Sequence, residues 1–138
     1  MGTWAVDAFG NDYAQDWAQD LQEISNLDAV EDTLNTALDT GAGELEAPFA
    51  AEALVAIEVL ARLQGKGGAA SADSKAVDEW VEARKSKARR RADLEEKALQ
   101  VIARILSDQS ELRELWAESE HYEEWRASVE ALRERIVA

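Results

Sequence analysis

Glu52, Glu58 and Arg62 are the only charged residues in an otherwise apolar stretch running from Pro48 to Leu63. A helix with apolar side chains on nearly every face must be surrounded by the rest of its chain, so charges on it are desolvated unless they find partners. Glu58 and Arg62 are four residues apart, in the favoured order for an ion pair along a helix. Glu52 lies roughly 120° from Glu58 around a helix that turns about 100° per residue, so the two carboxylates cannot face the same water on a surrounded helix. A buried Glu58 without donors would have a raised pKa and could act as a general base. Held by Arg62, a tryptophan N–H or a backbone donor, it is instead a structural anchor. The anchor is the expected role, with Trp4 of the leading segment as a second tether. Asn11 and Asp12, just beyond that segment, complete the set of candidate anchor residues.

Other chemistry is sparse. His121 is the single histidine, and no nucleophile-elbow pattern accompanies it. Glu118 and His121 match the Glu-x-x-His pair of di-metal helical bundles, but such a centre needs a second copy from another helix. A solvated turn histidine is the simpler reading, and no metal or cofactor is expected. The absence of cysteine removes disulfides, thiolate nucleophiles and cysteine-ligated metals. The Gly-rich stretch after Gln64 lacks the Gly-Lys-Ser/Thr ending of a phosphate loop and follows a helix, not a strand. Six of the fifteen basic residues fall between Arg84 and Arg91. They complement a helix C-terminus, and no aromatic residues are interleaved to stack nucleic-acid bases.

These residues must be positioned by helices. The first ten residues carry Trp4, Val6 and Phe9 without helical period, which predicts an extended arm over residues 1–10. Asn11 or Asp12 then caps a helix bearing Tyr13, Trp17, Leu21 and Ile24, with Asp12 and Gln15 spaced as a capping box. Its other side is a row of acids comprising Asp12, Asp16, Asp20 and Glu23. Leu27, Val30, Leu34 and Leu38 mark a second helix, which Asp28 and Glu31 are placed to cap and Gly41 to end. The apolar helix follows, opening at Pro48, whose missing N–H suits a first turn. A flexible Gly/Ala/Ser loop is expected over residues 65–72. A fourth helix begins at Asp73 or Ser74 and carries Val77, Trp80, Val81 and Arg84. Leu94, Ala98, Val101, Ile102 and Ile105 define a fifth, with Asp93 and Glu96 as a capping pair. Ser110 opens a short sixth, and Tyr122, Trp125, Val129, Leu132 and Ile136 form the seam of a seventh. No strand alternation and no helical repeat is present. The predicted class is all-α, one domain over residues 1–138 built as a bundle of six or seven short helices with an extended N-terminal arm.

The segment Met1-Gly-Thr-Trp-Ala-Val-Asp-Ala-Phe-Gly-Asn-Asp12, the Leu45-Glu-Ala-Pro48 turn before an Ala-rich helix with Glu58, and Ser110-Glu-Leu-Arg-Glu-Leu-Trp116 together resemble a bacterial family, the domain of unknown function numbered 4259. The likeness covers almost the whole chain, with Ala5 standing where the family pattern more often has Gly. It implies a single intracellular domain and no assigned reaction, substrate or catalytic residue.

Composition supplies the remaining expectations. A chain of 138 residues can bury roughly two thirds of its unfolded surface in one domain. Twenty-nine acidic against fifteen basic residues give a net charge of −14, which repels phosphate backbones and anionic lipids. No nucleic-acid or membrane partner is therefore expected. The first residues have no secretory pattern and no apolar run spans a membrane, so the expected location is cytoplasmic. Five tryptophans are many for this length and belong to the core, unless several lie exposed together as a docking patch. The leading functional expectation is a small interaction or regulatory protein, monomer or homodimer, holding a basic protein partner through surface acids such as Asp16, Asp20 and Glu23. An inhibitor or immunity-type role is one concrete form. The alternative is a small-ligand binder or hydrolytic enzyme using a buried Glu58 in a bundle pocket.

Overall fold

The structure is a computed structural model that describes residues 7–23, 27–39, 43–67, 71–86 and 91–137. The described residues form seven helices: α1 Asp12–Leu21, α2 Asp28–Leu38, α3 Ala47–Leu63, α4 Lys75–Arg84, α5 Ala92–Ile105, α6 Glu111–Ala117 and α7 Tyr122–Val137. The protein is all-α. Among the described residues the only β feature is one isolated parallel bridge between Leu45 and Ser110.

The apolar helix α3 is the centre, and all six other helices contact it. Every residue from Ala53 to Ala61 is buried, Glu58 included. Alanines at 50, 51, 53, 56 and 61 keep the α3 surface low and allow neighbouring helices to approach closely. Around this post α2 packs on α5, α5 on α7, α1 on α4 and α6 on α7. The four described tryptophans are core residues: Trp17, Trp80, Trp116 and Trp125 are all buried. Trp17 keeps its polar handle satisfied by donating to Thr33 Oγ1 at 2.9 Å, which joins α1 to α2. Trp116 and Trp125 stack at 6.3 Å between α6 and α7.

The helix ends differ from expectation where a partner distant in sequence offers a better contact. Asn11, not Asp12, caps α1, its Oδ1 accepting from Ala14 N at 2.9 Å. Gln15 does not close a capping box. It donates to Phe9 O at 2.8 Å and to Asp73 O at 2.9 Å, tying α1 to the chain before α4. Neither α2 nor α5 has a side-chain cap. Glu31 is turned instead toward Arg91, 3.4 Å away, and Asp93 is gripped by the Arg91 guanidinium at 2.8 and 2.9 Å. That grip holds the Asp93 carboxyl down at about 2. Ser110 caps α6 as expected, accepting from Arg113 N. At the head of α3, the Ala47 N–H is satisfied from across the fold by Glu111 Oε1 at 2.7 Å.

Residues 7–10 form a turn where extended chain was expected, because Asp7 Oδ1 accepts from both Phe9 N and Gly10 N. Trp4, Ile24, Gly41 and the middle of the Arg84–Arg91 run lie outside the described residues.

Candidate functional site

α3 ends in a Schellman motif. Gly65 N donates to Arg62 O, Lys66 N donates to Ala61 O, and Gly65 takes the left-handed conformation at φ +73°. This sharp stop returns the chain over the last turn of α3, so that Gly67 lies against the Arg62 side chain. A Cβ at Gly67 would sit 2.5 Å from Arg62 Cγ, which leaves room for glycine only. On its other side the Arg62 guanidinium stands 5.0 Å from the centre of the Phe9 ring, a cation–π contact supplied by the leading turn. Arg62 is thus pressed into one position.

That position serves a row of charges. Glu58 Oε2 lies 3.4 Å from Arg62 Nη2, and its Oε1 accepts from Arg135 Nη2 of α7 at 2.5 Å. Arg62 Nη1 in turn reaches Asp78 Oδ1 of α4 at 3.0 Å. Asp78 Oδ2 accepts from Ser74 Oγ, which itself accepts from Ser71 N. Arg135 finishes the row by donating from Nη1 to Lys66 O at 3.3 Å. One polar chain therefore crosses the tails of α7, α3 and the start of α4. Glu58 and Arg62 are almost fully shielded from water, with side chains 6% and 8% exposed, so their attraction is poorly screened. Both Glu58 oxygens are engaged by guanidinium groups, a geometry that counts against a role as a general base.

Sequence spacing identified the Glu58–Arg62 pair, whereas Arg135, Asp78, Phe9 and Gly67 carried no local signal. Arg135 is 77 residues from Glu58. Its one cue is a place beside Ile136 on the buried seam of α7. Beside the row lies a cleft of about 270 Å³ lined by Asp7, Ala8, Phe9, Glu58, Arg62, Ser71, Ser128 and Arg135. Asn11 is not part of this cleft. It borders a void of about 10 Å³ under the same leading turn, with Leu54, Trp116 and Trp125.

The acidic candidates occupy another face. Asp12, Asp16, Asp20 and Glu23 are exposed on and just after α1. Glu52, on the α3 face away from Glu58, is half-buried. Its carboxyl is pushed up from the ordinary value by burial and then by the charge of Asp20. Among the described residues none of these five acids takes part in an ion pair.

His121 is exposed and its Nδ1 lies 3.2 Å from Glu124 Oε1, so its neighbour is not the Glu118 of the Glu-x-x-His spacing. No group of three or more His, Asp or Glu residues is arranged to hold a metal among the described residues. The described ends of the basic run are occupied locally. Arg84 stacks 4.6 Å from the Trp80 ring, Lys85 pairs with Glu82, and Arg91 pairs with Asp93 and Glu31.

Comparison with known families bears on most of this arrangement. The family model described as Domain of unknown function (DUF4259) matches residues 2–128. The chain belongs to that family. The match takes in the Asp7–Asn11 turn, α3 with Glu58 and Arg62, and Asp78. It stops within α7, before Arg135. DUF4259 membership assigns no reaction and no ligand. No curated protein and no solved structure matches the chain. No described helix of this DUF4259 protein is long and apolar enough to cross a membrane.

Proposed function

We propose that this protein is a binding module that holds a basic partner on the face formed by α1 and the adjoining flank of α3. The observation that carries the reading is the unneutralised set Asp12, Asp16, Asp20, Glu23 and Glu52. A protein with fifteen cations at its disposal has placed none of its described ones against these acids. Like charges in a row on a helix cost a few tenths of a kcal/mol each, and a cationic partner relieves that cost. The raised Glu52 carboxyl, pushed up first by burial and then by Asp20 across the α1–α3 contact, is in keeping with the same reading.

A partner chemistry follows. A helix or loop carrying Lys or Arg at intervals of one turn matches acids four residues apart on α1, and the net charge of −14 steers it in from a distance. The hydrolytic alternative is less favoured, because Glu58 Oε1 accepts from Arg135 and its Oε2 is paired with Arg62. The test is affinity capture from a lysate at low and at raised ionic strength. Specific basic proteins are expected to be retained at low salt and released as the Debye length shrinks below about 10 Å. Capture unchanged by salt, or capture of acidic proteins, contradicts the reading.

A further inference from the structure

The cleft beside the Glu58 row has unused hydrogen-bonding capacity of two signs. Arg135 carries five N–H donors, and the protein engages two of them, one to Glu58 and one to Lys66 O. Its side chain is 27% exposed and lines the cleft, so N–H groups it does not spend inside the protein are within reach of the cleft and of water. Ser128, about two helical turns earlier on α7, brings a hydroxyl with no protein partner among the described residues. Across from them Asp7 spends Oδ1 on the Phe9 and Gly10 amides and leaves Oδ2 as an acceptor.

We propose that this cleft binds a small zwitterionic amino-carboxylate. Its carboxylate accepts from the remaining N–H groups of Arg135 and from the Ser128 hydroxyl, and its ammonium faces Asp7. A forked guanidinium is the side chain best matched to a carboxylate, and Glu58 need not be displaced because it uses only Nη2. The volume of about 270 Å³ falls below the usual range for drug-sized ligands and suits a molecule of amino-acid size. Net charge favours a zwitterion over a simple anion. A chain carrying −14 repels a free anion at long range, whereas a zwitterion has no net charge to repel. The Phe9 ring and Ala8 give the middle of the ligand an apolar wall.

The test is an NMR titration of the full chain with free amino-acid glycine, followed at the Ser128 amide and the Arg135 Nε–H, with acetate and methylamine run in parallel. Saturating shifts at both positions are expected with glycine, weaker ones with acetate and none with methylamine. Ser128→Ala should weaken glycine binding several-fold without changing the melting temperature. Arg135→Lys, which keeps the charge and loses the fork, should weaken it about tenfold. Shifts that never saturate, a response to methylamine equal to that to glycine, or glycine affinity unchanged in Ser128→Ala would each overturn the proposal.

Discussion

Removing the Glu58 carboxylate leaves the Arg62 and Arg135 guanidinium groups facing each other without the anion they share. Breaking a buried pair from one side is costly, so Glu58→Ala should lose about 3 kcal/mol, discounted from the usual range because Arg135 is partly solvated. Chemical denaturation reads this directly, and an unchanged midpoint would mean that the row is not an anchor. Gly67→Ala attacks the same row by steric force. The new Cβ meets Arg62 Cγ, and the substitution should cost about 1–3 kcal/mol. Because both changes act through Arg62, their effects should fall short of additive in the double variant. Glu52 behaves oppositely. Its carboxyl is raised above the ordinary 4.5, so the folded state holds the proton more tightly than the unfolded chain does, and stability falls as pH rises from 4.5 through the raised value. Glu52→Gln should therefore melt at a higher temperature than the parent at pH 7. The difference should shrink as pH falls below 4.5, where the unfolded chain takes up the proton as well. A destabilised Glu52→Gln at pH 7 would show that Glu52 has a cationic partner.

At the scale of elements, periodicity was enough to place the helices, because each buries a stripe that repeats every three or four residues. Val30, Leu34 and Ala37 on α2 and Trp125, Val129, Leu132 and Ile136 on α7 are examples. The all-round apolarity of α3 likewise announced its central place. Caps were legible only where the polar partner was local. Asn11 and Ser110 cap their own helices, whereas Glu31 and Gln15 turn to residues 60 and 58 positions away. The α3 N-terminus borrows Glu111 in the same way, a contact 64 residues apart that no local pattern encodes. The site was half legible for the same reason. Glu58 and Arg62 share one helix face, while Arg135 and Asp78 reach it only once α7 and α4 have docked. Asn11→Ala should cost about 1 kcal/mol by leaving the Ala14 N–H unpaired. Asp12→Asn, which changes a first-turn charge and no cap, should cost less, and thermal melts of the two variants rank them.

At the scale of the whole molecule, charge is divided between paired and unpaired groups. The acids and arginines at the tail of α3 neutralise one another and hold helices together, while the acids along α1 and at Glu52 are left unpaired against water. Core packing and the Glu58 row account for the fold without calling on the α1 face, so that face is free to be altered. This separation is the central claim, and under the proposed function it predicts that binding and stability can be altered independently. The direct measurement is a calorimetric titration of a Lys/Arg-rich helical peptide, charged once per turn, into the parent and into the triple variant Asp16→Asn, Asp20→Asn, Glu52→Gln. A control carries Glu120→Gln, Glu123→Gln and Glu134→Gln, exposed acids on and just before α7, and removes the same number of charges. The account predicts that the parent and the control bind the peptide alike. The triple variant should lose the binding while melting no lower than the parent. Equal weakening in the triple variant and the control would show that only net charge matters, and would contradict the assignment of binding to the α1–α3 face.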